Sequence, residues 1–184
     1  KKGETKIVQL LLERCNSEES GLNIKDRFGW TVFMVACREG QKDVVQLLLD
    51  NSERIELNSR SRWSWSTAFM MACENGHKDV VQILIDHSSS QNIDLNHRNS
   101  LPRPRPFDDH PDDPFFKIFE DPQKTAFIMA CENGHKDVVR LLLDHSDRID
   151  LDAKDRWENT ALILACQNGH KDVVKLLLNY SNRI

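Results

Sequence analysis

Five cysteines, seven histidines and one acidic cluster are what this 184-residue chain offers for covalent, acid–base or metal chemistry. Cys37, Cys73, Cys131 and Cys166 stand at least 35 residues apart, which excludes a C-x-x-C metal or redox pair. Each follows an alanine, so they read as small apolar residues of packed helices. Reduced thiols suit an intracellular compartment. Cys15 falls outside this pattern and is expected to be partly exposed. His77, His135 and His170 each follow a glycine. A general base is one reading of them, but a residue copied once per structural unit is expected to shape a turn. His87 and His145 are expected on the surface. Asp108, Asp109, His110, Asp112 and Asp113 could supply oxygen and imidazole ligands to a divalent cation. Pro111 and Pro114 hold that stretch open, and a solvated acidic turn is the preferred reading. No phosphate-cradling glycine loop, H-E-x-x-H or nucleophile elbow occurs. The chain is expected to be no enzyme and to use no metal or cofactor.

Binding chemistry is better represented. All four tryptophans fall in short variable stretches, with arginines beside them: Arg27, Phe28 and Trp30; Arg60, Arg62, Trp63 and Trp65; Arg156 and Trp157. Trp and Arg dominate interface hot spots, because they bury large area or form planar hydrogen bonds at modest entropic cost. Packing against neighbouring connectors is the alternative, and for Trp30 the two readings are balanced. Arg38, just before a turn glycine, is a further contact candidate.

These stretches are held by a repeat. The segment from Thr67 to Val81 recurs almost unchanged from Thr125 to Val139, with related copies at 31–45 and 160–174. The turn glycines Gly40, Gly76, Gly134 and Gly169 lie 36, 58 and 35 residues apart. One insertion therefore interrupts an otherwise regular array. In each copy a Thr stands where an N-cap belongs. A short apolar run follows, and a glycine at 40, 76, 134 or 169 stops the helix. A second helix opens with Lys-Asp, placing its acid in the favourable first turn. One such helix pair cannot bury its apolar face alone, so stacking into a solenoid is obligatory. The expected units are a partial one at 1–26, then about 27–62, 63–99, 123–155 and 156–184.

The insertion, at about 100–122, holds all six prolines, the first at Pro102 and the last at Pro122. Its alternate prolines favour an extended polyproline start. Asp113-Pro114 then offers a helix start to an aromatic stretch. Arg103, Arg105, Phe107, Phe115, Phe116 and Phe119 are candidates for partner contact, with folding back onto the solenoid as the other role.

The spacing and residues together resemble the ankyrin repeat. Its first-helix signature appears as Thr67-Ala-Phe-Met-Met-Ala-Cys73, its turn as Asn75-Gly-His77, and its second helix as Asp137-Val-Val-Arg-Leu-Leu-Leu143. The family's Pro and His of the first helix are replaced by Ala or Val and by Met or Ile, so apolar packing should stand in for a lost hydrogen bond. Its connector glycine survives only as Gly29, with Trp65, Gln123 and Glu158 at the aligned positions. The resemblance implies an all-α ankyrin-repeat solenoid with hairpin fingers, one long loop insertion and a concave face. It also implies a non-catalytic module that grips a folded protein through those surfaces. Near-identity of framework beside varied tips resembles an engineered ankyrin-scaffold binder; a natural, recently duplicated intracellular adaptor, whose insertion is itself a recognition peptide, carries the same signature.

Composition narrows the partner. A formal charge of −4 argues against nucleic acid, whose binders present a basic footprint. No apolar run of about eighteen residues is present for a membrane span, and the opening Lys1-Lys2-Gly3-Glu4-Thr5 leads into no secretion signal. A cytoplasmic monomer, or a recombinant one if engineered, is expected.

Overall fold

The computed structural model describes residues 21–100 and 122–180. It contains eight α-helices among those residues and no strand beyond one isolated bridge between Lys154 and Thr160. Inner helices α1 (Val32–Arg38), α3 (Ala68–Glu74), α5 (Ala126–Glu132) and α7 (Ala161–Gln167) each precede an outer one. The outer partners are α2 (Lys42–Leu49), α4 (Lys78–Gln91), α6 (Lys136–Asp144) and α8 (Lys171–Asn179). Inner helices pack on inner and outer on outer, and each pair packs on itself. The all-helical solenoid expected from the repeat is what forms.

The local causes are those the residues suggest. Thr31, Thr67, Thr125 and Thr160 cap the inner helices, each side-chain oxygen accepting the backbone N–H three residues on at 3.3–3.4 Å. Such a cap contributes about 1 kcal/mol. The inner faces are apolar almost throughout: Phe33, Phe69 and Phe127 are sealed, as are Met34, Met70 and Ile128 where the family carries histidine. In α7 the equivalent Ile163 is exposed, as is Cys166, whereas Cys37, Cys73 and Cys131 are buried. The expectation that all four cysteines are core residues therefore holds for three. Among the described residues, no following unit covers α7.

Between units the chain uses two polar ladders. The first lies at the turns: His77, His135 and His170 direct Nε2 at the carbonyls of Arg38, Glu74 and Glu132, at 2.7, 2.7 and 2.8 Å. A nitrogen facing a carbonyl carries the proton, so each ring donates to the preceding unit. These histidines shape the turn, as their recurrence suggests, and also couple neighbours. The second ladder lies behind the outer helices. Asn23, Asn58 and Asn96 each donate Nδ2 to a carbonyl of the next unit (Arg54, Asn92 and Arg148) at 2.8–3.0 Å. Each accepts in return from a backbone N–H two residues on, of Glu56, Asp94 and Asp150, at 2.8–2.9 Å. One amide thus satisfies two backbone groups of the next unit at once.

His87 and His145 depart from expectation. Both are half-buried, with Nδ1 donating to the carbonyls of Ile83 and Leu141 at 2.8 and 2.9 Å. Asn51 does the same to Leu47. Asn51 and His145 fold back over the ends of their outer helices and cover an orphan carbonyl, whereas His87 lies inside α4 and its ring bonds back to a carbonyl of the preceding turn.

Candidate protein-binding edge

Four connectors end the units in hairpin turns, and one polar residue organises each. Asp26 Oδ1 accepts from the backbone N–H of Phe28 and Trp30 at 2.8 and 2.9 Å. Asp155 does the same for Trp157 and Asn159. Ser61 Oγ accepts from Ser66, and Asn99 Oδ1 from Lys124 at 2.7 Å. A backbone bond closes every turn between the same pair: Asp26 to Trp30, Ser61 to Ser66, Asn99 to Lys124 and Asp155 to Asn159. The fingers expected from the resemblance are thus built by short side chains that mimic a backbone turn. Residues 101–121 lie between the ends of the third turn and outside the described residues. Arg103, Arg105, Phe107, Phe115, Phe116 and Phe119 fall there, as do Asp108 to Asp113; Cys15 is likewise outside.

The aligned non-glycine residues keep the finger geometry. Trp65, Gln123 and Glu158 take φ of 53°, 50° and 62°, beside 77° at Gly29. The left-handed conformation costs a residue with a Cβ about 1–2 kcal/mol, and the closed hairpin holds it there. Adjacent fingers touch: Arg62 donates its N–H to the Phe28 carbonyl at 2.8 Å, and Arg156 to Pro122 at 3.1 Å.

The candidate aromatics separate into two groups. Phe28, Trp63 and Trp157 are 37 %, 43 % and 49 % exposed. Arg27 lies over the Phe28 ring at 4.6 Å from its centroid, and Arg62 over Trp63 at 5.8 Å. Trp30 is half-buried against the core, its ring 5.1 Å from Phe28 and under the Arg38 guanidinium at 4.7 Å. Trp65 is also half-buried, beneath Arg60, and lines a cleft with Asn58 and Gln91. Its Nε1 is buried with no hydrogen-bond acceptor among the described residues.

The inner-helix face beside these tips is charged. Arg38 pairs with Glu39 at 2.7 Å, and Lys124 Nζ holds both carboxylate oxygens of Glu132 at 2.7 Å. Burial, and then the neighbouring Glu132, push the Glu74 carboxyl above its ordinary range, while Arg38, Lys124 and His135 pull the other way. The buried thiols of Cys37 and Cys131 are held far above the usual range by desolvation, so neither is a nucleophile at neutral pH.

Sequence reasoning missed the asparagine ladder. Its signal was present: Leu22-Asn23, Leu57-Asn58 and Leu95-Asn96 recur at the repeat period, each leucine buried.

The geometry has a family. A model of ankyrin repeats in three copies matches residues 1–99 and 111–184. The chain belongs to the ankyrin repeat family. Ankyrin repeats are protein-interaction modules of a fold without catalysis of its own. No curated protein matches the chain. Among the described residues of this ankyrin array, no helix is long and apolar enough to cross a membrane.

Proposed function

We propose that the chain is a non-catalytic binding module that grips a folded protein with its finger tips, the adjoining inner-helix face and the inserted loop. One observation carries the reading: an Arg–aromatic step stands at the same place on three tips, as Arg27-Phe28, Arg62-Trp63 and Arg156-Trp157, with the ring exposed each time. Exposed rings of this size on a packed, hydrogen-bonded scaffold are pre-organised, which limits the entropy lost on association. Trp30 and Trp65 are half-buried and act in this reading as supports for the exposed rings, with Arg38 and Arg60 stacked on them. The loop from about 100 to 122 adds Arg103, Arg105, Phe107, Phe115, Phe116 and Phe119 to the contact surface. The module works as a monomer, in the cytoplasm if natural, across repeat units bounded near residues 27, 63, 123 and 156.

An engineered scaffold and a natural duplicated adaptor both fit this surface. The left-handed Trp65, Gln123 and Glu158 favour the natural array, since a library framework would carry glycine at those positions to remove the strain.

The test is affinity for a protein partner purified after capture on the chain. Alanine at Trp63 or Trp157 should each weaken binding by about 1–4 kcal/mol, the range of an interface hot spot. Unchanged affinity in both variants, and in Phe116→Ala, removes the finger edge as the site.

A further inference from the structure

We infer that the finger edge selects carboxylates: its three Arg–aromatic steps receive an extended acidic segment of the protein partner. This rests on the binding role proposed above and names the chemistry of its partner. Arg27, Arg62 and Arg156 are exposed, and none forms an ion pair with a described acid; the described pairs lie at Arg38, His97, Arg98, Lys124, Lys136 and Lys154. The acids that precede two of them in sequence are engaged elsewhere. Asp26 spends Oδ1 on two backbone amides, and Asp155 accepts two amides on Oδ1 and the Asn159 side chain on Oδ2. The arginines beside them are left without a counter-charge among the described residues of a chain whose formal charge is −4.

Stacking gives these charges direction. A guanidinium lying over an aromatic ring, as at Phe28 and Trp63, keeps its face occupied and its N–H edge free. That edge matches a carboxylate in bidentate geometry. A phosphate presents the same acceptor pair, but a nucleic acid is a continuous polyanion. It would meet a chain of formal charge −4, where like charge opposes it. Discrete carboxylates separated by uncharged residues avoid that repulsion.

The spacing sets the register. Fingers one and two are joined by the Arg62 to Phe28 backbone bond. Neighbouring tips therefore advance by about one helix width, roughly 10 Å, which is about one three-residue turn of an extended polyproline II chain, where every third side chain lies on the same side. An acid at every third residue meets Arg27 and Arg62, and the acid six residues beyond the second meets Arg156, because the third finger stands between them.

The experiment uses the full chain and a labelled peptide of repeated Glu-Gly-Ser, with its Gln-Gly-Ser counterpart and oligo(dT) as competitors, read by fluorescence anisotropy. The Glu peptide should bind at least about tenfold more tightly than the Gln peptide and oligo(dT) near 0.1 M salt. The joint variant Arg27→Lys, Arg62→Lys, Arg156→Lys keeps the net charge and should lose about tenfold of that affinity. Unchanged melting of the variant shows that the loss is not unfolding. Equal affinity of the Lys variant, or tighter binding of oligo(dT), overturns carboxylate selection. The captured partner separates the two readings: if Trp63→Ala abolishes its binding while the Lys variant retains it, the finger edge stands and carboxylate selection falls.

Discussion

The protein makes two sets of left-handed turns, and they obey different rules. The turns between inner and outer helix carry glycine every time, at Gly40, Gly76, Gly134 and Gly169. The finger turns need the same sign of φ, yet carry Gly29, Trp65, Gln123 and Glu158. Dihedral angle alone does not explain the contrast. Space does. A Cβ built at Gly40, Gly76 or Gly134 would sit 2.5 Å from Nδ1 of the next unit's histidine, the ring that bonds back across the joint. At Gly29 it would meet the Arg62 backbone nitrogen at 2.6 Å. Glycine is thus demanded where a neighbour closes in, and elsewhere the left-handed turn is merely costly. Gly169 tests the rule, because a Cβ built there meets no described residue within 4 Å beyond its chain neighbours.

The largest expected effect follows at Gly134. Gly134→Ala combines left-handed strain with displacement of the His170 ring and loss of its bond to the Glu132 carbonyl. It should cost about 2–4 kcal/mol in urea unfolding. In a His170→Ala background the ring is gone, and the same substitution should cost only about 1 kcal/mol. An equal cost in both backgrounds would mean that backbone conformation, not contact, keeps the glycine.

Gly169→Ala comes next. It shares φ with its sister turns, 72° against 74° at Gly134, but no described residue crowds a Cβ there. Only the strain of about 1 kcal/mol should appear. In the other set the change runs backwards: Glu158→Gly relieves about 1–2 kcal/mol of strain and gives back about 0.5–1 kcal/mol of unfolded-chain entropy. The exposed pair between Lys154 and Glu158 that it deletes is worth little. A small rise in melting temperature is expected, and a fall would show that Glu158 holds its finger by more than its backbone.

The same contrast explains what could be read from the residues. The framework was legible because each unit faces the same neighbours: Thr caps, turn glycines and the apolar positions are fixed by contacts that recur. Cys166 and Ile163 were not, since a position identical in sequence to Cys131 and Ile128 becomes exposed when no described unit covers it. The finger geometry was equally hard to see, because Trp65 in a left-handed turn breaks a local preference that the closed hairpin overrides. Trp30 and Trp63 look alike in sequence, each with arginine nearby. One packs on the core and the other stands out, a difference set by which side of the hairpin each residue occupies. The asparagine ladder recurs with the repeat but pairs residues 31 to 54 positions apart, and such long-range backbone partners leave no mark on composition.

The smallest effect concerns charge on the inner-helix face. The carbonyl of Glu74 accepts from His135, while its carboxyl is held above the ordinary value of 4.5 by burial and by Glu132. The folded chain therefore binds that proton more tightly than the unfolded chain. The stabilising contribution is fully present below the ordinary value and is lost as pH rises through the raised folded one. Glu74→Gln removes the charge without disturbing the turn, since the carbonyl stays. At about pH 7 it should stabilise by a few tenths of a kcal/mol, the scale of a solvent-screened surface interaction. Near pH 4, below the raised value of Glu74, the gain should vanish. Thermal melts of both proteins across this range read the difference directly. A stabilisation that persists at low pH would mean that the carboxyl is unfavourable for its size or hydrogen bonding, and the turn ladder would then be the part of the joint under strain.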